Sequence, residues 1–249
     1  MTQVAEPVFF SPIADTPVGE SKCDHTEPKD GWRVVLAGKT RGHLIENLNR
    51  DRKVAEPVWP PPSGKNSIEE VISGSPGAWP HEAHHLVPWQ QLDKHSVKAH
   101  LKKGAKLLAD ANYSVNHGNN GKFLPFASDL AEWKKSKNKQ ALAEKLMSTV
   151  GLQLHQGRHS TASFGGGKKG YKARVQELLD KVRDSELTHL KVCKECSSKK
   201  DGSKYPPRSQ MTRKVDFVAR RLDTEINGGA IFVSKRAYLA WDAGSIGAI

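Results

Sequence analysis

The chain has 249 residues, 37% apolar and 27% charged, with three cysteines and a formal net charge of +12. That length can bury a core; no run of about eighteen apolar residues exists, which excludes a transmembrane helix, and three cysteines exclude a disulfide framework. All of the excess positive charge lies beyond residue 80, where 30 Lys/Arg stand against 16 Asp/Glu, and this points to a polyanion such as DNA or RNA, whose neutralised phosphates release condensed counterions.

Residues 1–30, with prolines at 7, 12, 17 and 28, read as irregular, and their opening MTQVAEPVFF lacks the pattern of a secretory signal. Trp32 to Leu36 suits a short strand, and Leu44, Ile45 and Leu48 a helix after it. Pro57, Pro60, Pro61 and Pro62 make 54–66 an extended linker or strap. The pentapeptide VAEPV at 4–8 recurs at 54–58, too few copies for a repeat architecture. Ser67 before Ile68, Glu69 and Glu70 predicts an N-cap and a short helix. Further helices are expected at 92–109, 128–150 and 171–184, the last from Tyr171, Val175, Leu178, Leu179 and Val182 on one face. Residues 189–221 read as a basic tail, and Asn227-Gly228-Gly229 between two β-prone runs as the turn of a terminal hairpin.

Eight of the eleven histidines fall between 81 and 159. His84-His85 precedes Leu86-Val87-Pro88. His155 and His159 stand at i,i+4, a spacing that puts both imidazoles on one side of a helical turn, where they can share a metal. A third histidine would complete a site with a position open for substrate. His81-Glu82-Ala83-His84-His85 also matches the H-E-x-x-H of zinc proteases, but Pro80 and Pro88 leave barely two turns for the helix that motif needs. Between the pairs, Asn120-Gly121 is a strong turn signal. Arg158, between the late histidines, and Lys168 and Lys169, in the glycine-rich stretch 165–170, are candidate phosphate contacts; the Walker A pattern is absent there. Cys193-x-x-Cys196 would need two more ligands to hold a structural zinc, and Cys23 with His25 could supply them from the N-terminal segment.

Ala83-His84-His85-Leu86-Val87-Pro88, then Asn120-Gly121-x-Phe123-Leu124-Pro125, then Leu154-His155-x-Gly157-x-His159, then a Tyr171-led amphipathic helix, resembles the AHH branch of the HNH/endonuclease VII nuclease superfamily. The resemblance covers about 81–183. It implies an α+β fold, a mainly helical domain built around a ββα-metal motif, after an irregular Pro-rich N-terminal segment. Carried over by position, His85 is the general base, His84, His155 and His159 are ligands of one divalent ion (Mg, Mn, Zn or Ni), and Asn120 orients His85 or itself approaches the ion. The expected organisation is an N-terminal segment and linker at 1–66, a nuclease core at 67–188 and a basic C-terminal extension at 189–249. The expected activity is hydrolysis of DNA phosphodiesters. The resemblance further implies an antibacterial toxin made in the bacterial cytoplasm, exported with a secretion-system adaptor or carrier, active in the target cell's cytoplasm and neutralised by an immunity protein, here expected to be acidic. The alternatives are a non-catalytic nucleic-acid-binding or interaction module with structural zinc, then an RNase or a zinc protease.

Overall fold

In the computed structural model the described residues are 41–60, 66–74, 77–88, 91, 116–156, 159, 164, 167–192 and 211–244. They form a mixed α+β structure: seven helices and two small two-stranded sheets. Among them no helix is long and apolar enough to cross a membrane. The strand expected at Trp32 to Leu36 and the helix expected at 92–109 lie outside the described residues.

The histidine-bearing segment is strand β1 (His81–His85), paired antiparallel with β2 (Gly121–Pro125) so that His84 faces Lys122 and His85 faces Gly121. Two apolar clusters hold this hairpin. Ala83 and Phe123 pack against Leu44 of α1 (Arg41–Asn47) and Leu48 of the π-helical turn that follows it at Leu48–Arg52. A Cβ on Gly121 would sit 2.8 Å from Leu44 Cδ1, so the close approach requires glycine. Leu124, Leu86 and Val87 enter the main core.

That core is built by helices. Ser67 caps α2 (Ile68–Ser73), its Oγ accepting from the Glu70 N–H at 3.2 Å, as the sequence predicts. The single helix expected over 128–150 is instead two, α3 (Ala131–Lys135) and α4 (Lys139–Val150). The break falls at Ser136, and Asn138 restarts the helix by accepting from the Ala141 N–H. Helix α5 (Tyr171–Val192) buries the predicted face of Tyr171, Val175, Leu178, Leu179 and Val182.

Beyond residue 211 the chain differs from the expected tail and hairpin. Met211–Asn227 is helix α6, with Val215, Val218, Leu222 and Ile226 buried in the main core. Asn227-Gly228-Gly229 ends that helix: the Gly228 N–H donates to the Thr224 carbonyl and Gly229 turns at φ +63°. Ile231–Phe232 (β4) then pairs in parallel with Lys169–Gly170 (β3), and α7 (Lys235–Asp242) closes the core. Arg213 and Arg220 are exposed on the polar face of this amphipathic helix, while residues 193–210 of the expected tail lie outside the described residues. A half-buried Arg174 makes a two-bond contact with the buried Glu225, at 2.8 and 2.5 Å, joining α5 to α6.

The short 3₁₀ turn Gly118–Asn120 leads into β2 and is gripped from two sides. Asp51 accepts from the Gly118 N–H at 3.2 Å, and Asn47 donates to the Asn116 carbonyl. On the other side His117 Nδ1 lies 3.3 Å from Asp216 of α6, which also accepts from Asn119. The hydrogen bond to Asp216 raises the His117 pKa, against burial and with the added charge of Asp51. A raised folded-state pKa stabilises fully below the unfolded value of about 6.5 and is lost as pH rises through the folded one. The gap in melting temperature between wild type and His117→Gln is therefore expected to be fully present just below the unfolded imidazole value of about 6.5 and to shrink as pH rises above it, as thermal melts in a pH series will measure.

Candidate metal centre

Three imidazoles converge beside β1. His84 is buried on the strand, its ring centroid 4.5 Å from that of His155 and 5.1 Å from that of His159. His155 and His159 bring their Nε2 atoms to 2.9 Å of each other. The three residues offer ligand atoms that all lie within 4.8 Å of one another, and among the described residues they are the group that could hold a metal ion. The i,i+4 expectation is met in space but not by a helix: residues 151–156 run as irregular chain after α4.

Other elements tie that irregular chain down. The His155 N–H donates to the Pro125 carbonyl at 2.8 Å, continuing from the end of β2. Leu154 is buried, and its carbonyl accepts from Ser234 Oγ. Gln153, also buried, donates from Nε2 to the Ile226 and Ile231 carbonyls, both at 2.7 Å, and accepts from the Val233 N–H. Every polar atom of that amide has a partner, as burial demands.

The electrostatics favour neutral rings. Burial, reinforced by the neighbouring His155 and His159, pushes His84 well below the usual imidazole range. Burial and His155 bring His159 down to about 4. Neutral imidazole is the ligand form, so the donor set fits a divalent cation. All-nitrogen ligation suits borderline transition ions better than Mg²⁺, which prefers oxygen.

His84 is further bonded through Nε2 to the hydroxyl of Tyr171, 3.0 Å away at the first residue of α5. That phenol, wholly buried, donates towards the carbonyls of Leu86 and His85. Glu82, on the same strand, accepts from His155 Nδ1 at 2.9 Å. The H-E-x-x-H match is corrected here: its residues lie on a strand, where the one-helix geometry of zinc proteases does not exist, and His81 is bonded to Glu56 at 2.8 Å.

His85 closes β1, its Nε2 bonded to Asn116 Oδ1 at 2.8 Å. Burial lowers its pKa, opposed by that hydrogen bond and by the charge of Glu82. Asn120, expected to orient His85 or approach the ion, uses its amide differently: Oδ1 accepts from the Val87 N–H at 2.7 Å, and Nδ2 donates to the Val87 carbonyl at 3.0 Å. It fastens the chain leaving β1, and the amide on His85 belongs to Asn116. Lys168 donates to the Gly229 carbonyl and Lys169 pairs with Glu177 at 2.6 Å, so each ammonium has a partner within the chain. Arg158 and the zinc candidates Cys23, His25, Cys193 and Cys196 lie outside the described residues.

Residues 67–201 match the AHH family, described as a nuclease family of the HNH/ENDO VII superfamily with conserved AHH. The chain belongs to this nuclease family. The AHH signature falls on Ala83-His84-His85 of β1, and the match spans all three converging histidines. No curated protein and no solved structure matches the chain.

Because Asn120 satisfies two backbone groups at a buried position, Asn120→Ala should cost about 1–3 kcal/mol for each group left unpaired. Denaturant unfolding will register this as a lower midpoint with an unchanged slope.

Proposed function

We propose that this AHH nuclease is a metal-dependent endonuclease that hydrolyses DNA, with His85 as general base and His84, His155 and His159 as the ligands of one divalent ion. The observation that carries the reading is the convergence of those three imidazoles, with a fourth, His85, on the same strand as His84 and bonded through Nε2 to an amide oxygen. The hairpin β1–β2, together with helix α5 packed at its end through Tyr171, supports a ββα-metal arrangement. The core proposed to do this work begins at residue 67.

A phosphodiester resists attack because its charge repels nucleophiles and its 3′-oxygen leaves poorly. When bound, a divalent cation supplies positive charge at the phosphate and at the departing oxygen. Asn116 Oδ1 can only accept, so His85 is protonated at Nε2 and keeps its lone pair on Nδ1. Burial keeps the ring neutral. Through that lone pair His85 takes the proton of an attacking water, the water oxygen bonds to phosphorus, and the P–O3′ bond breaks, the departing oxygen taking a proton from solvent. Asn116 holds the ring throughout and carries no proton. The net charge of +12 supports a nucleic-acid substrate. The same charge supports the further proposal of a bacterial toxin held in check by an acidic immunity protein.

The test is cleavage of supercoiled plasmid by the purified chain with Mg²⁺, Mn²⁺, Zn²⁺ or Ni²⁺ supplied separately. We expect nicking that chelation abolishes while the melting curve persists. His85→Ala should lose about 10²- to 10⁴-fold of the rate with metal binding retained, and Asn116→Ala should lower kcat with little change in KM. If wild type and His85→Ala are equally inert with every metal, on plasmid and on RNA, the enzyme reading is wrong.

A further inference from the structure

The hydrogen bonds around two of the three imidazoles, those of His84 and His155, determine which nitrogen of the ring carries a proton. A phenol has one proton to give. Tyr171 Oη lies 2.5 Å from the Leu86 carbonyl oxygen and 2.9 Å from that of His85, and neither oxygen can donate. The phenolic proton is therefore committed to a carbonyl. The third neighbour, His84 Nε2 at 3.0 Å, must then be the donor to the phenol oxygen. That makes His84 the Nε2–H tautomer, with its lone pair on Nδ1. At His155 a carboxylate enforces the opposite choice. Glu82 Oε2 accepts only, 2.9 Å from Nδ1, so the proton sits on Nδ1 and the lone pair on Nε2. That Nε2 is the atom 2.9 Å from His159 Nε2.

We infer that Glu82 and Tyr171 are the positioning residues of this centre, each selecting, through one hydrogen bond, the tautomer in which a ligand ring presents its lone pair to the cation. The inference rests on the reading that the three histidines hold an ion. Both residues also stop their rings from turning, so the cation meets ligands already aimed. The roles are complementary. Glu82 shares β1 with His84 yet serves His155, and Tyr171 opens α5 yet serves β1. Each ligand is thereby fastened to an element other than its own.

The test uses the full chain labelled with ¹⁵N and free of metal, followed by Zn²⁺ alone. Long-range ¹H–¹⁵N spectra of wild type should report His155 protonated at Nδ1 and His84 at Nε2. In Glu82→Gln the side-chain amide can donate as well as accept, so His155 should become a mixture of tautomers. Zn²⁺ affinity by titration calorimetry should then fall about 10- to 100-fold, while the metal-free melting temperature stays close to wild type. Tyr171→Phe should likewise release His84 from its tautomer. Because that substitution removes a wholly buried hydroxyl, the partly exposed Glu82 variant decides the matter if Tyr171→Phe does not fold. If wild type binds Zn²⁺ and His155→Ala does not, yet Glu82→Gln leaves both tautomer and affinity unchanged, the inference is overturned and the metal centre stands. If wild type takes up none of Zn²⁺, Ni²⁺, Mn²⁺ and Mg²⁺ supplied separately, both fall.

Discussion

A buried imidazole at the end of a short strand is the constraint around which this protein is arranged. His84 is buried, which favours its neutral form and calls for polar partners from within the chain. The answer comes from the Tyr171 hydroxyl, which at the same point binds two carbonyls of the chain leaving β1. Strand end, helix start and a ligand of the candidate metal centre thus meet on one oxygen atom. The core packing of Val175, Leu178, Leu179 and Val182 behind Tyr171 keeps that oxygen in place. Helix amphipathicity in this region therefore serves the site directly.

The other side chains of the candidate site depend on partners equally far away in sequence. Asn116 stands on a turn held by Asn47 and Asp51 from before the matched region and by Asp216 from after it. His155 stands on irregular chain fastened by Gln153 to the end of α6 and to β4. Loops are the usual carriers of chemistry, and they serve it when a scaffold removes their freedom. Here the scaffold supplies amides and carboxylates, and the buried Gln153 amide has every polar atom partnered.

Much of the site was legible in the sequence because metal chemistry restricts residue types. The i,i+4 spacing paired His155 with His159 without coordinates, and the family resemblance added His84 to them. The face of α5 and the Ser67 cap were legible because their signals are local. Asn116 was not: it and Asn120 flank the same turn, and nothing local distinguishes the amide that reaches a side chain 31 positions away from the one that clamps a backbone. Glu82 and Tyr171 were hidden for the same reason, their partners lying 73 and 87 positions off. Helix α6 was missed although Val215, Val218, Leu222 and Ile226 repeat at helical spacing. Charge on its outer face dominated the composition and disguised a core helix as a tail.

The Gln153 amide bears on where the working unit ends. The family match stops at residue 201, yet the carbonyls and the amide hydrogen that Gln153 grips belong to 226, 231 and 233. A polypeptide trimmed to the matched span would keep every histidine of the signature and lose the splint beneath one of them. In this nuclease, then, the footing of a signature histidine reaches past the stretch that defines the family, into the helix and strand that follow it.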